Sequence, residues 1–138
     1  MTKRPTAVTV IGWFFRAGGI LGMVFSLPLA LWGRELFADY WPDALLQLSS
    51  TIYFLWGFLS SLLGLLLGNG LLKGRNWART LTIVYCVVAT LIGAALYQNN
   101  FLYWFNLVGN LAFTAVFWFF LYRPHVNAFL DGEEGLAA

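Results

Sequence analysis

Charge is what this sequence has least of. Only 10% of its residues are Asp, Glu, Lys or Arg, against about 25% in a soluble domain. The single cysteine, Cys86, excludes an internal disulfide and a cysteine-based metal site. One histidine, His125, sits near the end of the chain, and no nucleophile has a histidine or lysine placed by spacing to activate it. No carboxylate falls inside any long apolar run, so no acid–base pair is available there. These gaps predict no enzymatic activity, no cofactor and no bound metal. A net charge of +2 without a basic aromatic surface motif excludes nucleic acid as a partner.

What fills the sequence is apolar: 60% of its 138 residues are hydrophobic. A soluble domain of this size has too much surface to hide that much apolar material. Four runs reach the roughly 20 residues that carry a helix across a bilayer of about 30 Å. They span about 7–32, 50–72, 77–97 and 101–122, and none alternates like a barrel strand. The first has a basic start at Lys3 and Arg4, but it is long, is interrupted by Arg16 and lacks a small-x-small end. It therefore reads as a retained span rather than a cleaved leader.

The basic residues lie on alternate connections. Lys3 and Arg4 precede span one, Lys73, Arg75 and Arg79 sit between spans two and three, and Arg123 follows span four. The other connections hold Arg34 with Glu35, Asp39 and Asp43. The positive-inside rule then places both termini and the Lys73–Arg79 turn in the cytoplasm.

Lys73-Gly-Arg-Asn-Trp77 and Gln98-Asn-Asn100 are short turns. In the long connection Glu35, Asp39, Asp43 and Gln47 recur every four residues, with Phe37, Trp41, Leu45 and Leu48 on the other side. This predicts an interfacial helix, with a new helix starting at Pro42 and running into span two. The expected fold is all-α, a single domain over 1–138. It is a membrane-spanning four-helix bundle of two antiparallel hairpins, with an outer interfacial helix between spans one and two and a cytoplasmic tail at 123–138.

Small residues at helical spacing mark candidate packing faces: Gly18, Gly22 and Ser26 in span one, and Ser60, Gly64 and Gly68 in span two. They serve packing within the chain or between copies. The candidate intramembrane polar cluster is Arg16, Tyr85, Asn106, Asn110 and Thr114. The two asparagines and the threonine share one face of span four and are expected to turn into the bundle, toward span one or three. Trp13 and Trp32 are 19 residues apart, about 29 Å of helix. If they mark the interfaces, Arg16 snorkels to cytoplasmic water. If span one instead sits as 7–32, Arg16 comes level with Asn110, Thr114 or Tyr85 and contacts them.

Three segments carry a resemblance: Arg4-Pro-Thr-Ala-Val-Thr-Val-Ile-Gly-Trp-Phe-Phe15, Gly74-Arg-Asn-Trp-Ala-Arg79 and Leu121-Tyr-Arg-Pro-His-Val-Asn-Ala-Phe129. Together they resemble small, uncharacterised four-helix proteins of bacterial inner membranes. The resemblance implies that location and no particular reaction. Four-helix multidrug exporters share the span count but rely on a carboxylate in the first span, which here offers only Arg16. Small fluoride channels share a Gly-Gly-x-x-Gly segment, which Gly18-Gly19-Ile-Leu-Gly22 resembles. Their arginine follows that segment, whereas Arg16 precedes it, and their phenylalanine-rich third-span signature is missing here.

The function expected from the sequence is therefore accessory or scaffolding, exerted through helix contacts. The lipid bilayer is the surrounding partner, and other membrane proteins or a second copy are candidate protein partners. The alternative is a small transporter or channel lined by the polar face of span four.

Overall fold

A backbone in apolar surroundings can satisfy its N–H and C=O groups within a helix, and every regular element among the described residues is helical. The computed structural model describes residues 4–36, 38–40, 47, 49–96 and 103–131. Helix α1 (Thr6–Pro28) passes into a π-helical turn, π1 (Leu29–Gly33), and then a single helical turn, α2 (Arg34–Leu36). Helices α3 (Ser50–Leu72), α4 (Asn76–Leu96) and α5 (Tyr103–Leu121) follow, and α6 (Pro124–Asp131) closes the described chain. Thr6–Gly33, α3, α4 and α5 are each long and apolar enough to cross a membrane, close to the bounds expected from the sequence.

Local chemistry sets the ends. The π turn begins directly after Pro28, which has no N–H to continue the α-helical ladder. The Ser49 side chain caps α3 by accepting from the Ile52 N–H at 3.3 Å. At the other end of α3, Gly74 takes φ +68°, a left-handed conformation that glycine adopts without a Cβ penalty. There the Gly74 N–H donates to the Leu71 carbonyl at 3.0 Å and the Arg75 N–H to the Gly70 carbonyl at 2.9 Å, which completes a Schellman cap. Pro124 opens α6 at its first helical position, and Arg123 turns its carbonyl to the Val126 and Asn127 N–H groups.

Helix α1 runs antiparallel to α3 in the most extensive helix contact among the described residues. A Cβ on Gly19 would lie 2.6 Å from the Leu65 nitrogen, and one on Gly68 would lie 2.6 Å from the Arg16 nitrogen. Backbones this close leave no room for larger residues. Helix α4 packs mainly on α5, and α3 meets α4 beside their shared turn. The core of Val8, Ile11, Phe15, Leu67, Leu71, Ala78, Phe117 and Leu121 is completed by Val126 and Leu130 of α6. All of it lies toward the end that carries Arg4, Lys73, Arg75, Arg79 and Arg123, here termed the basic end. Toward the other end large apolar residues are exposed, Phe105 by 81% and Val24 by 64%.

Several expectations change. Within the expected tail, the described residues 124–131 form α6, which buries Val126 and Leu130 fully or nearly fully and leaves His125 exposed. Helix α3 does not continue from a helix begun at Pro42, because Ser49 is extended, with ψ 150°. Of the expected interfacial helix, the described residues contain only α2, which follows π1 without a break, and turn residues at 38–40 and 47. Glu35, Asp39 and Gln47 are exposed. Phe37, Trp41, Pro42, Asp43, Leu45 and Leu48, and the turn Gln98–Asn100, lie outside the described residues.

Candidate functional site

Because α3 leans on α1 and α4 leans on α5, a groove of about 540 Å³ opens between α3 and α4 away from the basic end. Tyr53, Trp56, Leu59, Ser60 and Leu63 form one wall, and Tyr85, Val88, Ala89, Ile92 and Leu96 the other. Trp56 and Leu59 on its rim are more than half exposed. Its size falls in the range of small-molecule sites, about 300–1,000 Å³.

At its inner end the groove adjoins a second chamber of about 210 Å³ between α1, α3 and α4. Ser60 and Tyr85 line both spaces. Phe14, Phe15, Gly18, Gly19, Ser61 and Gly64 complete the chamber. Rings close its floor: Phe15 meets Tyr85 edge-on at 6.0 Å and Phe117 at 5.5 Å, while Phe14 stacks on Phe113 at 6.1 Å. The Ser60 and Ser61 hydroxyls both donate to the Gly57 carbonyl, at 3.2 and 2.6 Å. Their protons are therefore engaged and their lone pairs remain available. The Tyr85 hydroxyl makes no hydrogen bond among the described residues. Among the described residues, no charged side chain lines either space.

The expected polar cluster divides into three. Tyr85 belongs to the chamber. Asn106, Asn110 and Thr114 form a ladder along α5. The Asn110 Nδ2 donates to the Asn106 carbonyl at 2.9 Å and to Asn106 Oδ1 at 3.2 Å, and the Thr114 hydroxyl donates to the Asn110 carbonyl at 2.8 Å. The Asn106 amide packs on Gly93 of α4, where an added Cβ would lie 2.5 Å from Oδ1. Arg16 joins neither group. Its guanidinium lies 4.8 Å over the Trp13 ring, one turn nearer the basic end, because helical side chains point back toward the N-terminus.

The small-residue faces are placed differently from the sequence expectation on α1. Gly18 has open space where a Cβ would be, and it lines the chamber. Gly12 and Gly19, together with Gly22 and Ser26, meet α3 instead, opposite Gly68, Ser61 and Gly57. On α3, Gly64 and Gly68 are buried against α1, while Ser60 faces the chamber and groove.

One constellation escaped the sequence reading. Arg79, at the start of α4, donates from Nη1 to Asn127 Oδ1 at 2.6 Å and from Nη2 to Asp131 Oδ1 at 3.0 Å. It also lies 4.8 Å over the Tyr122 ring. Its Nε is buried without a partner among the described residues. Asn127 and Asp131 are four apart on α6 and so share a face, the one sequence signal by which a common partner could have been found. No protein-family model, curated protein or solved structure matches the chain.

Proposed function

We propose that the chain is an integral protein of a bacterial inner membrane that acts as an accessory or scaffolding subunit through helix contacts. On this reading Thr6–Gly33, α3, α4 and α5 form a membrane-spanning four-helix bundle, with both termini and the Lys73–Arg79 turn in the cytoplasm. Exposed apolar surface on all four helices supports lipid as the surrounding medium. The basic end supports the orientation, and the resemblance to small bacterial inner-membrane proteins supports the location.

The observation that carries the accessory role is the plug of buried apolar side chains at the basic end. Phe15, Leu67, Leu71, Phe117 and Leu121 fill the space between the helices, and a polar route for solutes would have to pass there. The channel reading asks span four for a polar lining, whereas the Asn106 amide packs on Gly93 of α4 and neither space described above is lined by Asn106, Asn110 or Thr114. The test is purification of the full chain in two mild detergents with identification of co-purifying proteins, beside flux measurements in proteoliposomes. One membrane protein recovered stoichiometrically in both detergents is the expected result. Solute or ion flux above that of empty vesicles would overturn the reading.

A further inference from the structure

We propose that the chamber and groove together bind a neutral amphiphile with one apolar chain and a compact head that accepts hydrogen bonds. Quinones and prenyl alcohols share this chemistry. The proposal rests on reading the four long helices as membrane spans, since the groove then opens sideways into hydrocarbon.

Three observations select this occupant. First, the two spaces differ in character and adjoin at Ser60 and Tyr85. The larger is an elongated groove with apolar walls such as Leu63, Val88 and Ile92, suited to a chain. The smaller is walled by Phe14, Phe15 and Tyr85 and holds about 210 Å³, the scale of a head group. Second, no described residue lining either space carries a charge, so an ionised phosphate or carboxylate head in the chamber would be desolvated without compensation from them. A phospholipid head is disfavoured on that ground. Third, the hydroxyls are set to receive a neutral head. The Tyr85 proton is free of partners among the described residues and can be donated to the head, while the Ser60 and Ser61 oxygens, with their protons given to Gly57, can accept the hydroxyl proton that an alcohol head carries and a quinone lacks. Gly18 fits the same picture, because the absence of a side chain there keeps the chamber open.

The test uses the full chain in nanodiscs of phosphatidylcholine. Two photoreactive probes are compared, a decyl-benzoquinone and a farnesol, each with a diazirine in the chain, and labelled peptides are mapped by mass spectrometry. Saturable labelling confined to residues 53–63 and 85–96 is expected, with competition by the matching unlabelled compound and none by phosphatidylglycerol. Stronger competition by the benzoquinone names a quinone head, and stronger competition by farnesol names an alcohol. Tyr85→Phe keeps the ring and removes the donor, and is expected to weaken binding about three- to tenfold. Ala89→Phe fills the groove and is expected to abolish saturable labelling. Labelling spread over lipid-exposed residues such as Val24 and Phe105, or unchanged affinity in Tyr85→Phe, would overturn the site. Washing the membranes with alkaline carbonate separates the two readings. A chain released by the wash refutes membrane insertion, whereas a retained chain without saturable labelling refutes the site alone.

Discussion

Arg79 and Asp131 lie 52 positions apart in the sequence, yet their side chains meet at 3.0 Å. That contact fastens α6 to the first turn of α4. The arginine side chain is 11% exposed and the aspartate 31%, so the pair is neither fully screened nor fully desolvated. Phe129 reaches Gly74 from the same helix, which ties α6 to the turn between α3 and α4 as well.

Asp131→Ala should therefore loosen α6 without disturbing the four long helices. The lost charge-assisted hydrogen bond is worth about 1–2 kcal/mol, between the exposed and the buried limits for an ion pair. Hydrogen–deuterium exchange should rise across residues 124–131 and stay constant in α1 and α5. Equal exchange in the two proteins would show that α6 does not depend on Arg79.

Adjacent glycines should behave oppositely. Gly19→Ala drives a methyl against the Leu65 and Ser61 backbones, which cannot swing aside, whereas Gly18→Ala projects into open space. Overpacking of this kind costs about 1–3 kcal/mol. Thermal unfolding in detergent should show Gly19→Ala clearly destabilised and Gly18→Ala near the parent. The reverse order would contradict the α1–α3 interface.

Gly93 and Asn106 should be energetically coupled. Gly93→Ala pushes its methyl onto the Asn106 amide and should destabilise the protein on its own. Combined with Asn106→Ala, which removes the obstructing group, it should be better tolerated. A double-mutant cycle should return a coupling of about 0.5–3 kcal/mol. Additive effects would mean that α4 and α5 do not meet at this point.

Orientation can be read by chemistry from outside the cell. In a Cys86→Ala background, a cysteine at the exposed Asn76 should resist a membrane-impermeant thiol reagent applied to intact cells, and one at the exposed Asp39 should react. Labelling at Asn76 with none at Asp39 would invert the topology.

The four long helices were legible because continuous apolar runs and strong punctuation marked them. Ser49, Gly74 and Pro124 each act at a helix end by local chemistry alone. What the sequence left ambiguous depended on neighbours in space. Gly18 and Gly19 both fit a small-residue spacing with Gly22 and Ser26, and only the position of α3 distinguishes them. An eight-residue helix is marginal alone, so α6 could not be read without the socket that Arg79 and Gly74 provide. Trp13 was used as a depth marker, and it is also the ring over which Arg16 rests. The groove left no trace in the sequence, since its lining is ordinary apolar residues whose separation across α3 and α4 is purely tertiary.

The placement of the core has a mechanical corollary. Side chains lock the helices together around Leu71, Ala78 and Leu121, while Tyr53 and Leu96 stand on the two walls of the groove away from that end. Such a body is built like a pair of tongs with its rivet at one end. A small tilt between the α1–α3 and α4–α5 arms barely moves atoms near the rivet and displaces the tips most, so the width of the mouth is the dimension this architecture leaves freest to change.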